Sequence, residues 1–530
     1  MSDKEKNPTL VTVVDDAVLT ERAQKFKEAE ESMSLGATFR AYKKALAWSV
    51  LVSMNIVMES YGTILLNSFY AQPAFLAKFG EVGHSGKLEI PAKWQTSMSL
   101  ASSVGIIIGI WLNGLVVDRW GYKKIMVASL IALSGFVALP FAATSKGMIV
   151  AGMLLCGLPW GTLNVIAPAY AVEVLPPAIR HYGPTYVNQC WVIGHLIGAG
   201  VQTGLLSNHG QWGWRIPFAL QWMWPVPLII GALLCPESPW WLVRHGRTAD
   251  AVHSMKRLAS SAIDHEEAVA LIEHTVRLER DLDFGSTYSD MVRGVDRRRT
   301  EIGTVALSSQ ALVGFIVQGY QTYFFKQAGM PTTDSFKLTL GTYGIAFVGT
   351  ALSMPLQDRF GRRTLWLAGM AWMLCTMVPV GILACVHQTQ SVMWAEGIIL
   401  MVWFGGYGWS VGPLAFVIAS EVGSAQLRAK TIAVARGMQY LITIANTVVA
   451  PYVLNSDQAN LKGKAAFIPA GFTVVLIVWS YFRLPETKGR SFDELDVLFA
   501  KRVPARKFRD YVVTIEDEMP ASAKAVEDQP

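Results

Sequence analysis

Apolar residues in this chain gather into runs of about twenty, long enough to cross some 30 Å of hydrocarbon as an α-helix with its backbone groups satisfied internally. Twelve such runs lie near 46–68, 96–117, 125–143, 149–170, 185–206, 216–235, 303–325, 339–356, 365–386, 394–418, 432–454 and 466–483. The pattern predicts an all-α integral membrane protein with twelve transmembrane helices. Between the sixth and seventh runs the stretch 238–300 is polar, and Leu258, Ala262, Val269, Ile272 and Val276 recur in it at helical spacing. It predicts a helical linker joining two groups of six.

Basic residues cluster in alternate loops, and basic loops stay cytoplasmic. Arg40, Lys43 and Lys44 precede the first run, Arg119, Lys123 and Lys124 follow the second, and Arg359, Arg362 and Arg363 follow the eighth. Both termini and the linker are therefore predicted cytoplasmic. The divisions that follow are a tail over 1–44, a six-helix half over 45–237, the linker over 238–300, a second half over 301–484 and a tail over 485–530. The acidic end, with Glu516, Asp517, Glu518, Glu527 and Asp528, reads as solvated tail.

The two halves repeat one another. Asp118-Arg119-x-Gly121 recurs 240 residues on as Asp358-Arg359-x-Gly361; Glu173 with Arg180 recurs 248 residues on as Glu421 with Arg428; Pro236-Glu237-Ser238 recurs 249 residues on as Pro485-Glu486-Thr487. Three pairs in the same order mark two parallel repeats, an arrangement that in secondary carriers places the substrate between the halves near the bilayer midplane.

Composition narrows the class further. With 52% hydrophobic and 16% charged residues the chain is far less charged than a soluble protein. Its net charge of +6 is parcelled between apolar runs rather than pooled on one face, which argues against nucleic acid as a partner. Cys156, Cys190, Cys235, Cys375 and Cys385 all fall in apolar stretches without metal-ligand spacing. No run holds a nucleophile with a base or a paired-carboxylate arrangement, so the chain is read as no enzyme, with no cofactor and no metal. The first forty residues are polar and mixed in charge, so the first apolar helix is expected to serve for insertion.

Charged residues at helix ends near hydrocarbon need partners. Asp118, Arg119, Glu173, Arg180 and Glu237, with their repeat mates Asp358, Arg359, Glu421, Arg428 and Glu486, form such a set. Their repetition suggests a conformational latch, ion pairs that close in one state and break in another. The strings that carry them, Gly114-Leu-Val-Val-Asp-Arg-Trp-Gly-Tyr-Lys-Lys124, Glu173-Val-Leu-Pro-Pro-Ala-Ile-Arg180, Pro236-Glu-Ser-Pro-Trp-Trp-Leu-Val243, Asp358-Arg-Phe-Gly-Arg-Arg363 and Pro485-Glu-Thr-Lys-Gly-Arg-Ser-Phe492, run in order over roughly residues 40 to 500. In them the chain resembles the sugar porter family of the major facilitator superfamily, and within it the fungal maltose-permease-like disaccharide carriers. The resemblance implies the major facilitator fold, alternating access and a sugar as substrate.

Sugar recognition calls for paired polar groups and flat aromatic faces in a dry cavity. Asn188, Trp191 and His195 share a face of the fifth run; Gln310, Gln318, Tyr320 and Tyr323 lie in the seventh, Trp403, Tyr407 and Trp409 in the tenth and Asn446 in the eleventh. The resemblance implies that these helices line the sugar site. His195 stands where relatives usually carry Gln, and a neutral imidazole donates once and accepts once.

Proton coupling needs an intramembrane carboxylate. Glu59 is the one acid of the first run. Relatives usually read Glu-Gly-Tyr-Asp there, where this chain has Gly62 in place of the Asp, and often Gly-Glu-Ile-x-Gly in the second run, where it has Gly105-Ile106-Ile-Ile-Gly109. Arg436 matches the basic partner of those acids. Glu59 with Arg436 or His195 is thus the candidate coupling set, and Glu59 as a structural charge paired with Arg436 is the alternative. The expectation is a multi-pass plasma-membrane carrier of a disaccharide or short oligosaccharide of the maltose, cellobiose or lactose type. Its partners are the sugar, protons if Glu59 couples, and the bilayer. The competing expectation is a sugar sensor that signals with little concentrative uptake, its tails or linker docking a cytoplasmic signalling partner.

Overall fold

The computed structural model describes residues 19–511 apart from 20, 27, 31, 84, 85, 181, 284–288, 328, 425, 426 and 491. The acidic tail from Glu516 to Asp528 lies outside the described residues, as do the side chains of Gln318, Asp358 and Arg428.

Each apolar run falls on a helix or a broken helix. The first half comprises α1 (Lys43–Phe69), α2 (Ala92–Trp120), α3 (Tyr122–Phe141), α4 (Lys146–Val174), α5 (Tyr182–Gly204) and α6 (Trp212–Leu234). The second comprises α7 (Asp296–Leu312 and Phe315–Gln327), α8 (Thr332–Phe360), α9 (Arg362–Leu383), α10 (Gln390–Val422), α11 (Arg428–Leu454) and α12 (Phe467–Arg483). Nine helices among the described residues are long and apolar enough to cross a membrane. The other three, α5, α7 and α8, carry more polar side chains, and α7 is broken after Leu312 and kinked again at Tyr320 (φ −121°, ψ 27°). Helices covered by their neighbours need no continuous apolar surface, and α5 packs on both α1 and α8.

Close helix approach comes from small residues, which stand in for a hydrophobic drive between helices in lipid. A β-carbon on Gly105 of α2 would lie 2.2 Å from the Leu154 carbonyl of α4, and one on Gly157 of α4 would lie 2.6 Å from the Ser102 carbonyl. The α2–α4 crossing therefore admits no side chain at either point.

Shorter helices over Pro239–Arg244, Thr248–Leu258 and His265–Asp283 lie between the halves, and one over Phe492–Ala500 follows α12. Ser260 N donates to the Ala41 carbonyl at 2.8 Å, holding the intervening helices to the segment that leads into α1. The final segment is held to the start of α7, where Arg298 Nη1 donates to the Val503 carbonyl at 2.8 Å and Arg299 pairs with Asp496.

Candidate functional site

At the end of the bundle that carries the basic loops, the same joint is built twice. The turn between α2 and α3 is the single residue Gly121 and that between α8 and α9 is Gly361, each at φ +86°, a conformation other residues rarely adopt. Glu237 accepts from the backbone N–H of Tyr122 and of Lys123, both at 3.2 Å, and Glu486 accepts from Arg362 N at 2.8 Å and Arg363 N at 3.2 Å. Each carboxylate thus satisfies two open N–H groups at a helix start, where the helix dipole favours negative charge. A β-carbon on either glycine would sit 2.6 Å from a carboxylate oxygen of its Glu. Burial pushes the Glu237 carboxyl up from its ordinary range, against the pull of the N–H groups of Ser238, Lys123 and Tyr122.

The second acid of each cluster takes a basic partner too, Glu173 from the first linker helix and Glu421 from its own half. Glu173 accepts from Tyr122 Oη at 3.1 Å, from Ser238 Oγ and from Arg244 Nη1 at 3.0 Å. Glu421 accepts from Arg362 Nη2 at 2.9 Å and Nε at 3.2 Å, and from Thr487 Oγ1 at 2.5 Å. The sequence suggested Arg180 and Arg428 as partners for these acids. Arg180 Nε donates to the Leu175 carbonyl at 3.4 Å while the charges of Glu30 and Glu173 act on it, and the side chain of Arg428 is outside the described residues. Asp118 and Arg359 take part through their carbonyls, which accept from Trp241 Nε1 at 3.1 Å and Lys488 Nζ at 2.9 Å. Arg119 adds the last positive charge of α2, one residue before it ends at Trp120.

At the opposite end the halves are tied together. Asn455 Nδ2 donates to the Ile90 carbonyl at 3.2 Å, Ser456 Oγ to Glu89 at 2.9 Å and Lys326 Nζ to the Ala71 carbonyl at 3.1 Å. Below them the rings of Tyr70 and Tyr320 stack at 6.1 Å, and Ser99 Oγ lies 3.0 Å from the Tyr70 hydroxyl and 3.2 Å from that of Tyr320.

Under this tyrosine pair lies a slot of about 230 Å³ between the halves. From α1 it is lined by Glu59, Thr63, Leu66 and Asn67, and from α2 by Ser99, Ser102, Ser103 and Ile106. Facing them from α11 are Tyr440, Thr443, Ile444 and Thr447, while Met153, Asn164, Trp191 and Tyr320 complete the wall. The α2 and α11 stripes have the i, i+3, i+4, i+7 spacing of one helical face.

Glu59 is fully buried. Asn164 Nδ2 donates to its Oε1 at 2.9 Å, and Oε2 has no protein partner among the described residues. Arg436, the partner expected from sequence, lies with its guanidinium 4.4 Å from the centre of the Phe416 ring and forms no salt bridge among the described residues. His195 also turns elsewhere: its Nδ1 is 2.8 Å from the Trp191 carbonyl and 2.9 Å from Ser60 Oγ, and its ring stacks at 5.0 Å on Tyr343 of α8, across the seam between the halves. Gly62 has no room for the acid that the resemblance led to expect there, since a β-carbon would lie 2.3 Å from the Trp160 ring of α4. Ile106, at the other missing acid, faces the slot.

Of the residues singled out in the sequence for sugar contact, Trp191 and Tyr320 line the slot. Several others are committed within the second half. Gln310 Nε2 donates to the Gly412 carbonyl at 2.5 Å while its Oε1 accepts from Gln439 Nε2 at 2.6 Å, and Asn446 Nδ2 donates to the Ala311 carbonyl at 2.6 Å. Trp403 stacks on Tyr407 at 5.9 Å, Tyr323 is buried, and Asn188 and Trp409 are half-buried. The sequence reading missed Thr63, Asn67, Asn164, the serines of α2 and the hydroxyls of α11. The signal for the last two groups was their helical spacing.

Residues 48–499 match the family described as sugar (and other) transporters. The chain belongs to this family. Within reach of that family match, a maltose permease of Saccharomyces cerevisiae is 36% identical over 504 residues, covering 93% of this chain and 82% of that protein. The general alpha-glucoside permease of Saccharomyces cerevisiae is likewise 36% identical, over 509 residues, 94% of this chain and 82% of its own length. Among solved structures, the major facilitator superfamily proton:xylose symporter XylE bound to 6-bromo-6-deoxy-D-glucose superposes with a TM-score of 0.69 at 21% identity, over 86% of this chain and 99% of that one. XylE from E. coli in a partially occluded inward open conformation gives 0.68 at 19%, over 85% and 100%. The likeness establishes the major facilitator fold, twelve helices in two six-helix repeats. The family is one of transporters and not of enzymes.

Proposed function

We propose that this protein moves a disaccharide of the α-glucoside class across the plasma membrane by alternating access, with Glu59 as the group that takes up the coupled proton. The carrying observation is the buried Glu59 carboxylate with one bare oxygen, set in a slot that both halves line with hydroxyls. A buried carboxylate left ionised and half-paired is costly. Its bare oxygen calls for a proton or for a ligand hydroxyl, and a sugar brings hydroxyls. The names of the yeast relatives, maltose and alpha-glucoside permeases, support the sugar class.

In this reading the basic loops and both termini face the cytoplasm, so the tied end is the outer one and the conformer faces inward. The two carboxylate clusters then brace each half at the cytoplasmic surface, and the outer ties of Asn455, Ser456 and Lys326 are the contacts that must part for the slot to open outward. Arg436, stacked on Phe416 and facing Glu59 across the seam, serves as the positive charge that stabilises Glu59 once its proton has left.

Uptake of labelled maltose at pH 5 and pH 7.5, in cells without carriers of their own, tests this, with cellobiose and lactose alongside and Glu59→Gln as the variant. Accumulation above the external level at pH 5, abolished by Glu59→Gln with maltose exchange retained, is the expected outcome. Equilibration without accumulation by the wild type overturns the coupling, failure to take up maltose while cellobiose or lactose enters overturns the α-glucoside class, and failure to take up any of the three sugars overturns the sugar reading.

A further inference from the structure

The slot runs along its helices for two turns. Its lining reaches from Ser99 to Ile106 on α2 and from Tyr440 to Thr447 on α11, and at 1.5 Å per residue each stretch is about 10 Å. That is longer than one pyranose ring and suits two rings joined by a glycosidic oxygen. The ends differ in chemistry. Toward the basic-loop end stand Glu59, Asn164 and Tyr440; toward the tied end stand Asn67 and Thr447, beneath the Tyr320 ring.

The polar groups along the slot are set to receive hydroxyl protons. Ser103 Oγ donates to the Ser99 carbonyl at 3.1 Å, Thr443 Oγ1 to the Gln439 carbonyl at 2.9 Å and Thr447 Oγ1 to the Thr443 carbonyl at 2.9 Å. With their protons directed to the helix backbone, these oxygens keep lone pairs for a ligand. Asn67 is half-buried at the slot wall and offers both a donor and an acceptor. Tyr320 supplies a flat apolar face of the kind that packs on sugar C–H groups.

We propose that the tied end of the slot, formed by Asn67 and Thr447 under Tyr320, is the subsite for the second ring of a disaccharide, the first ring lying at the Glu59 end. The inference rests on the sugar reading above and adds to it the residues that tell two rings from one.

The test is counterflow of labelled maltose in proteoliposomes holding the full chain, with unlabelled maltose or glucose as competitor. Asn67→Leu and Thr447→Val remove polar groups without changing the number of side-chain heavy atoms, and Thr447→Ser returns the hydroxyl; thermal midpoints establish that each variant is folded. Loss of one neutral hydrogen bond raises the half-inhibitory concentration of maltose about fivefold, while competition by glucose stays as in the wild type and Thr447→Ser recovers the wild-type value. Equal shifts for maltose and glucose mean a one-ring site and overturn the subsite. Unchanged maltose competition in both variants overturns it as well. A wild type that exchanges no maltose defeats the sugar reading itself, and the subsite with it.

Discussion

Gly62→Ala sets two effects against one another with opposite signs. Intrinsic propensity favours Ala over Gly inside a helix by about 1 kcal/mol. The structure opposes it: the new methyl carbon would lie 2.3 Å from Cζ2 and 2.8 Å from Cη2 of Trp160. Carbon atoms in contact prefer about 3.5–4.0 Å, and Trp160 is fully buried, with packed neighbours on every side. Overpacking of a filled core costs about 1–3 kcal/mol, and an overlap beyond 1 Å puts this site at the upper end of that range. The net effect is a loss of about 1–2 kcal/mol, which lowers the thermal midpoint by roughly 2–8 °C at the 2–4 °C per kcal/mol usual for a unit of this size. The midpoint is read from intrinsic tryptophan emission of the purified protein in detergent. Gly471→Ala in α12, where a β-carbon meets nothing within 4 Å, is the control and leaves the midpoint unchanged or slightly higher. Trp160→Phe is the rescue: the indole Nε1 has no hydrogen-bond partner among the described residues, so Phe forfeits no such bond while clearing space. The double variant therefore melts above Gly62→Ala alone. A Gly62→Ala midpoint at or above wild type would refute the steric argument, and with it the reason given for the absent acid.

Glu237→Ala strips the backbone N–H groups of Tyr122, Lys123 and Ser238 of a charged acceptor, each such bond being worth about 1.5–3 kcal/mol, so the midpoint falls by roughly 9 °C or more. Glu486→Ala does the same in the other half and the two losses add, as they do for sites without shared partners; a double variant no worse than either single one contradicts this. Glu81, an exposed carboxyl in the loop between α1 and α2, is held below its ordinary value of 4.5 by its hydrogen bond to Lys146. A carboxyl depressed by folding adds stability above its unfolded value and loses it as pH falls through the folded one. Glu81→Gln therefore melts slightly below wild type at pH 7, by less than about 1 kcal/mol for an exposed pair, and the gap narrows as pH falls below the ordinary carboxyl value; a gap that does not narrow in acid removes the ion pair as its cause.

Membrane periodicity is coarse and strong, so the twelve helices and the repeat were legible in the sequence. The slot was not, because helical spacing tells which residues share a face but not what that face meets. Ser99, Ser102 and Ser103 look like the small polar residues any packed α2 would carry, and only the opposing stripe of Tyr440, Thr443 and Thr447 turns them into a wall. Gln310 and Asn446 illustrate the reverse case. Their residue types suit a sugar, but the break in α7 leaves the Ala311 carbonyl without a helical partner nearby, and Asn446 is spent on it. The acids at the helix ends were found, while their partners depended on folding: Glu421 ends a helix and meets Arg362 at the start of another, a pairing that the spacing to Arg428 could not reveal.

The duplicated glutamate joints bear on how the chain is made. Every partner of Glu173 and Glu237 named above lies between Tyr122 and Arg244. The first six helices thus have their polar closures complete before the ribosome has translated α7. The second set closes on itself as well, through Arg362, Arg363 and Thr487. Two bodies that can each finish folding during synthesis and then meet along a seam of hydroxyls and rings need no interlocked assembly, and co-expression of the two as severed fragments should still yield one working particle.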